Sequence, residues 1–333
     1  HSGGYGEETQ RSRSGYGAAR MPRLLRDRAL VLLGGSSSPG TSVAYDPPAN
    51  GLIGNPGIEN TGAACPDVEN FQGGSGEVER LTYTITFLGV AVARAILDEV
   101  RPEGPGGEWI VRGASRTTAF WEQFTYIHNS YVTRFRSPGF QPSVYDRRID
   151  QKGLRFRRIE WYGREGTDAA DAGRLPPLPD RYRTRGAPVA ADVMSVPSGQ
   201  GNFFSVLWYL RYADWDRMLE VTLPLWLEGQ RWQVTVKRAG VEWRRVPQGR
   251  VETWKLVCRL SRDTSAGGGQ EQQTQAVPST DHVTRHLMDE DAELIFWIER
   301  GPSRRPIAVG VSVGVFRVTG QLREPFEDER PPY

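Results

Sequence analysis

Two histidines stand four residues apart in Asp281-His282-Val283-Thr284-Arg285-His286. On a helix they would share one face, a spacing that suits a metal ion. Asp281, Asp289, Glu290 and Asp291 are near, but the pattern offers no evident third ligand, and a solvated polar turn is the plainer reading. His128 stands alone among Tyr and Phe and reads as packing or surface, not as a general base. Ser198, in Val196-Pro197-Ser198-Gly199, precedes a glycine but lacks the Gly-x-Ser-x-Gly spacing of a nucleophile elbow. Gly34-Gly35-Ser36-Ser37-Ser38-Pro39-Gly40 lacks the Gly-Lys-Ser/Thr of a phosphate loop. The acid pair Asp168 and Asp171 falls in a loop, and four histidines in all give acid–base chemistry little to draw on. The expectation is a protein that is not an enzyme and carries no cofactor or metal. Cys65 and Cys258 could form a disulfide tying an N-terminal arm to a core strand. Alternation with Trp254, Leu256 and Leu260 turns Cys258 inward, so a buried free thiol is the alternative. Gly62-Ala63-Ala64 before Cys65 is the kind of stretch that precedes a lipid-attachment cysteine, but no apolar signal core stands before it.

Composition narrows the partners. Three lysines (Lys152, Lys237, Lys255) leave 39 arginines among the 42 basic residues, and the chain holds ten tryptophans. Guanidinium forks grip carboxylates and stack on rings, which suits interfaces, although a GC-rich genome would produce the same bias. A net charge of +2 over 333 residues lacks the concentrated positive field that nucleic acid demands. No apolar run approaches the ~20 residues of a membrane-spanning helix. The chain does not begin with Met, and a removed signal peptide would place it outside the cytoplasm.

The elements follow from periodicity. Residues 1–75 read as an extended Gly/Pro/Ser-rich arm. Within it, residues 21–33 form a short amphipathic segment. Leu24, Leu25, Ala29, Leu32 and Leu33 would lie on one helical face, with Arg20, Arg23, Arg26 and Arg28 largely elsewhere. Such a segment suits a partner protein or an anionic membrane surface. From residue 76 to about 324 the pattern is β. Leu81, Tyr83, Ile85 and Phe87 alternate with threonines, and Leu88-Gly89 turns the chain into Val90–Leu97. Further strands are expected at 108–112, 131–135 and 154–162, with a short helix at 118–127. Asn202 can cap a helix over 202–212 whose apolar residues leave little polar face, so it should plug against a sheet. Strands rich in alternating Leu and Val follow from Leu219, with expected turns at Glu228-Gly229 and Ala239-Gly240 and a polar insert at 261–279. A final hairpin, 294–298 with 307–318, is expected around Gly301-Pro302, and residues 325–333 form a C-terminal tail. Close strand spacing requires a mainly antiparallel arrangement. The fold class expected is mainly β: a curved antiparallel sheet or half-open β-barrel with one or two short helices.

Three stretches resemble the bacterial family catalogued as domain of unknown function 3108: the opening GEVERLTYTITFLGVAVARAIL, the middle DVMSVPSGQGNFFSVLWYLR and the closing ELIFWIERGPSRRPIAVGVSVGVFRVTGQL. The middle stretch resembles that family's Asp-x-x-Ser loop followed by a helix. The resemblance spans residues 76–324 and implies an exported half-barrel around a helix, similar to periplasmic lipoprotein carriers, with no catalytic residues. The long arm and the Gly/Gln insert depart from the family. Two functions are therefore expected. The first is a non-catalytic accessory subunit of an envelope or membrane-associated protein complex, periplasmic or on the outer face of a membrane and not transmembrane. It would bind through its arm and its Arg/Trp-rich surfaces. The second is a periplasmic carrier holding a lipid or other apolar ligand in a pocket lined by such residues as Tyr83, Ile85, Trp232 and Phe316.

Overall fold

The computed structural model describes residues 78–102, 107–136, 139–164, 175, 182, 184, 189–263, 292–313 and 316–323. One sheet of thirteen strands accounts for nearly all of it. In chain order these are β1 (Val78–Phe87), β2 (Val90–Val100), β3 (Glu108–Thr117), β4 (His128–Arg136), β5 (Gln141–Gln151), β6 (Leu154–Tyr162), β7 (Ala191–Val196), β8 (Glu220–Leu227), β9 (Gln230–Val246), β10 (Gly249–Arg262), β11 (Glu293–Glu299), β12 (Pro306–Val313) and β13 (Phe316–Arg323). The spatial order is β7-β6-β5-β4-β3-β2-β1-β13-β12-β11-β10-β9-β8. Every pairing is antiparallel except β6–β7, where Arg157 to Tyr162 run beside Ala191 to Val196 in parallel. The sheet curls until its two outermost strands approach each other. The seam is pinned where Gly201 N donates to Pro224 O (3.0 Å) and accepts at its own carbonyl from Trp226 N (2.8 Å). A Cβ on Gly201 would stand 2.9 Å from Pro224 O, so only glycine lets the two backbones meet. The mainly β, barrel-like expectation holds.

A single turn of helix, α1 (Ala119–Glu122), links β3 to β4, and α2 (Phe203–Tyr212) fills the barrel interior. Nine of the ten residues of α2 are buried, so its surroundings, not a solvent face, set its sequence. Asn202 caps it as expected: its Oδ1 accepts from Ser205 N (2.8 Å), while Ser205 Oγ accepts from Asn202 N (2.8 Å). Its Nδ2 also donates to Thr133 Oγ1 (2.8 Å), fastening the helix start to β4. Gly113 on β3 gives Phe204 its place, because a Cβ there would meet Phe204 at 3.3 Å and Leu97 at 3.0 Å. One core cluster then runs from Trp109 and Phe135 through Trp208 and Leu210 to Val236, Leu256 and Phe296.

Five points of the sequence reading need correction. No turn occurs at Ala239-Gly240. β9 continues to Val246, and Gly240, at φ +146°, absorbs a bulge opposite Lys255 and Leu256. The segment Gln141–Gln151, not expected as a strand, is β5 and buries polar side chains on both faces, which removes the alternation that betrays a strand. The stretch taken as an Asp-x-x-Ser loop contains β7. The expected strand 307–318 is two, β12 and β13, and the helix expected over 118–127 is the single turn α1. The turn near Gly301-Pro302 is present, closed by Glu299 N to Arg305 O (2.8 Å). Residues 1–75, 264–291 and 325–333 lie outside the described residues; of the insert expected at 261–279, Ser261 and Arg262 are the last residues of β10. No helix among those described is long and apolar enough to cross a membrane.

Candidate functional site: a cavity and two buried charge clusters

The barrel interior holds two charge clusters, one at each end of α2. Around its last turn, Glu99 of β2 is fully buried and receives four donors. Arg211 Nη1 lies at 2.6 Å, Tyr212 OH at 2.9 Å, Arg101 Nε at 2.9 Å, and Trp208 Nε1 also donates. Arg211, equally buried, sends Nη2 to Glu79 and to Ser303 O. Burial works against the Arg211 charge, but Glu99, Tyr212 and Glu79 outweigh it and hold the guanidinium above its ordinary pKa. Three residues of one helical turn thus converge on one carboxylate, and a cation at the helix C-terminus also suits the helix dipole.

At the other end, Glu228, in the β8–β9 turn, reaches across the seam to Arg147 of β5 and Arg158 of β6. Glu160 sits beside them on β6, accepting from Tyr162 OH (2.8 Å). Burial pushes the Glu160 carboxyl above its usual range, only partly offset by Arg147 and Tyr162. Between this cluster and the start of α2 lies a cavity of about 170 Å³. Tyr131, Tyr145, Phe203, Phe204, Leu225, Trp226, Leu260 and Phe296 supply most of its wall. Apart from Arg147, Glu160 and Glu228 the lining is apolar or aromatic.

A third feature lies outside. β8 accompanies β9 only as far as Lys237, so beyond Arg238 the outer edge of β9 has no strand neighbour among the described residues. There Val241 and Trp243 are 45% and 61% exposed. Trp243, Arg244, Arg245 and Arg250 line one surface groove. Arg244 lies over the Trp297 ring at 4.0 Å, and Glu242 accepts from Trp297 Nε1 and Lys255 Nζ (both 2.9 Å).

The residues singled out by sequence separate under this geometry. Among the described residues Cys258 is a free thiol, fully buried in the core, and burial pushes its pKa up. Its prospective partner Cys65 lies outside the described residues. So do His282, His286, Asp281, Asp289, Glu290, Asp291, Asp168 and Asp171. The arm residues Arg20, Arg23, Leu24, Leu25, Arg26, Arg28, Leu32 and Leu33 also lie outside them. His128 is packed, with Nε2 2.8 Å from Glu122 Oε1, which ties α1 to β4. Ser198 is exposed in the turn after β7. Among the described residues no three His, Cys, Asp or Glu side chains gather around a possible metal. Of the residues expected to line a pocket, Trp232 is buried in the core, while Tyr83 donates to Pro306 O (2.7 Å) and Ile85 packs with Phe87. None of these three lines the cavity, and the side chain of Phe316 is outside the described set. The lining was missed because eight elements assemble it, and β5, which brings Tyr145 and Arg147, buries polar side chains on both faces.

Comparison with the curated proteins returned no match. Among solved structures, a "Beta-barrel-like Protein of Domain of Unknown Function DUF1849 from Brucella abortus" is similar, at 8% identity and a TM-score of 0.41. The match covers 75% of this chain and 96% of that one. The sequence profile of the family described as "Protein of unknown function (DUF3108)" matches residues 82–319, from within β1 to within β13. The profile therefore encloses the curled sheet, its seam and the plugging helix, and the chain belongs to that family.

Proposed function

We propose that the protein is a non-catalytic accessory subunit of an exported, envelope or membrane-associated complex, docking a protein partner along the free edge of β9. The observation that carries this reading is the pairing of an unaccompanied strand edge with exposed Val241 and Trp243. Arg244, Arg245 and Arg250 stand around it. A free edge offers backbone donors and acceptors to an added strand, and Trp and Arg are the anchors that most often dominate interfaces. The basic border selects an acidic extended segment. The arm of residues 1–75, with its basic segment 21–33, is assigned a clasping role on the same complex or on an anionic membrane surface.

The filled interior weighs against the alternative of a lipid carrier. α2 and its aromatic neighbours occupy the core, and about 170 Å³ is below the ~300 Å³ at which pockets for drug-sized ligands begin. A photo-cross-linking residue at position 243, used in native envelope, is expected to capture a defined partner through an acidic segment. The double variant Trp243→Ser, Arg245→Glu should weaken that association at least tenfold without lowering the thermal midpoint. Co-purification of the same proteins with the variant as with the wild type would overturn the assignment.

A further inference from the structure

The cavity beside the start of α2 joins an apolar wall to hydrogen-bond donors that lack acceptors. Arg147 is 3% exposed, and its Nη1 donates to Glu228. Its Nε and Nη2 are buried with no partner among the described residues, as is Nε1 of Trp226, which lines the same cavity. Three other arginines of this chain hold a carboxylate on the Nε/Nη2 edge. Arg80 grips Asp98 with it at 2.8 and 3.0 Å, and Arg157 grips Asp146 at 3.0 and 2.8 Å. Arg305 holds Glu299 in the same way. A planar fork of this kind matches two carboxylate oxygens, and burial strengthens the match. A buried charged fork left without an acceptor is costly, and native proteins rarely leave one there without a function.

We propose that this cavity binds a small amphipathic carboxylate. The two oxygens of the ligand would accept from Arg147 Nε and Nη2, and its tail would lie against Phe203, Phe204, Leu225, Leu260 and Phe296. A cavity of about 150 Å³ takes one benzene, so the space here fits a tail of about six to eight carbons or one aromatic ring. Neither neighbouring carboxylate hydrogen-bonds the Nε/Nη2 edge, although Glu160 faces the Arg147 charge. Glu228 is engaged by Nη1 and by Arg158, and Glu160 by Tyr162. The site is separate from the β9 edge and stands or falls independently of it.

The test is calorimetric titration of the purified full chain at neutral pH with octanoate, with 1-octanol (same tail, no charge) and with acetate (same head, no tail). Octanoate should bind, and 1-octanol and acetate should each bind at least tenfold more weakly. Leu260→Trp, which fills the cavity and leaves the ion pairs intact, should reduce octanoate affinity at least tenfold with an unchanged thermal midpoint. Arg147→Gln should lower octanoate affinity as much, at a lower thermal midpoint because it breaks the pair with Glu228, and the Leu260 variant decides the matter if it does not fold. Absence of octanoate binding at millimolar concentration overturns the proposal. So does equal affinity for 1-octanol, or indifference to Leu260→Trp.

Discussion

The two ends of α2 bury the same chemistry to different ends. At the C-terminal end Arg211 uses both terminal nitrogens, on Glu79, Glu99 and Ser303 O, leaving only its Nε without a partner among the described residues, and Glu99 is saturated by four donors. At the N-terminal end Arg147 uses one nitrogen on Glu228, and the rest of its fork faces no acceptor. Both arginines are essentially inaccessible. Burial alone therefore does not separate a structural charge from a functional one; the completeness of its hydrogen bonding does. The saturated cluster sits at the last turn of α2, where Tyr212 packs on Trp109 and Phe140. The incomplete one sits beside a cavity and at the seam, where Glu228 replaces the ladder that β7 and β8 do not form.

The sharpest way to break this comparison is to truncate each carboxylate. Glu99→Ala leaves a buried indole N–H and a phenol without an acceptor and Arg211 with only Glu79 and Ser303 O, and should cost about 3–5 kcal/mol in urea unfolding. Replacing Glu99 and Arg211 together with Met should recover a large part of that loss, because no uncompensated charge remains. Glu228→Ala should cost about 2 kcal/mol, since Arg158 keeps Asp192 (2.9 Å) and the Glu160 carboxyl still faces the Arg147 charge. Equal costs at the two sites would contradict the distinction between a saturated and an incomplete cluster.

A milder perturbation falls on the junction between them. Asn202 is both the N-cap of α2 and a donor to Thr133. Asn202→Ala should lose about 1–2 kcal/mol. Hydrogen exchange should quicken first in Phe203–Val206, beside the cavity, while Trp208–Tyr212 stay protected by Glu99. Uniform quickening along the helix would mean that the two ends are not energetically separate.

How far all this could be read from sequence depends on where side chains meet. The hairpin β1–β2, the helix and its Asn202 cap, and the Leu/Val alternation of β8 to β10 were legible because one face of each is apolar and the period is regular. β5 was not, because Arg147 points inward to Glu228 while Asp146 pairs outward with Arg148 and Arg157, so neither face reads as a core. The strand β9 was cut short because Gly240 looks like a turn residue, and only its partner shows it to be a bulge. The cavity was illegible for a different reason. Its wall comes from β4, β5, β6, β8, β9, β10, β11 and α2, and no local pattern links Arg147 to Trp226 or Phe296.

The smallest and most discriminating test uses pH, because carboxyls in the two halves are shifted in opposite directions. Glu299, near Arg211 through Ser303, is pushed up by burial, but hydrogen bonds from Arg305 and Ser303 outweigh this and leave it below its usual range. Its contribution to stability is full above the unfolded carboxyl value of ~4.3 and is lost as pH falls through the lower folded value. Glu160, beside Arg147, is shifted upward by burial, so the folded chain holds its proton more tightly than the unfolded one. Its contribution is full below that same unfolded value and fades as pH rises toward the folded one. Unfolding free energies followed from acid to neutral pH should therefore respond oppositely to two isosteric changes. Glu299→Gln should flatten the loss on the acid side, and Glu160→Gln should flatten the decline above the ordinary carboxyl range. A Glu160→Gln variant that tracks the wild type at every pH would mean that this carboxyl is ionised with ease in the folded barrel. The cavity end would then be as well solvated electrostatically as the Glu99 end, and the contrast between the two clusters would fail on its own terms.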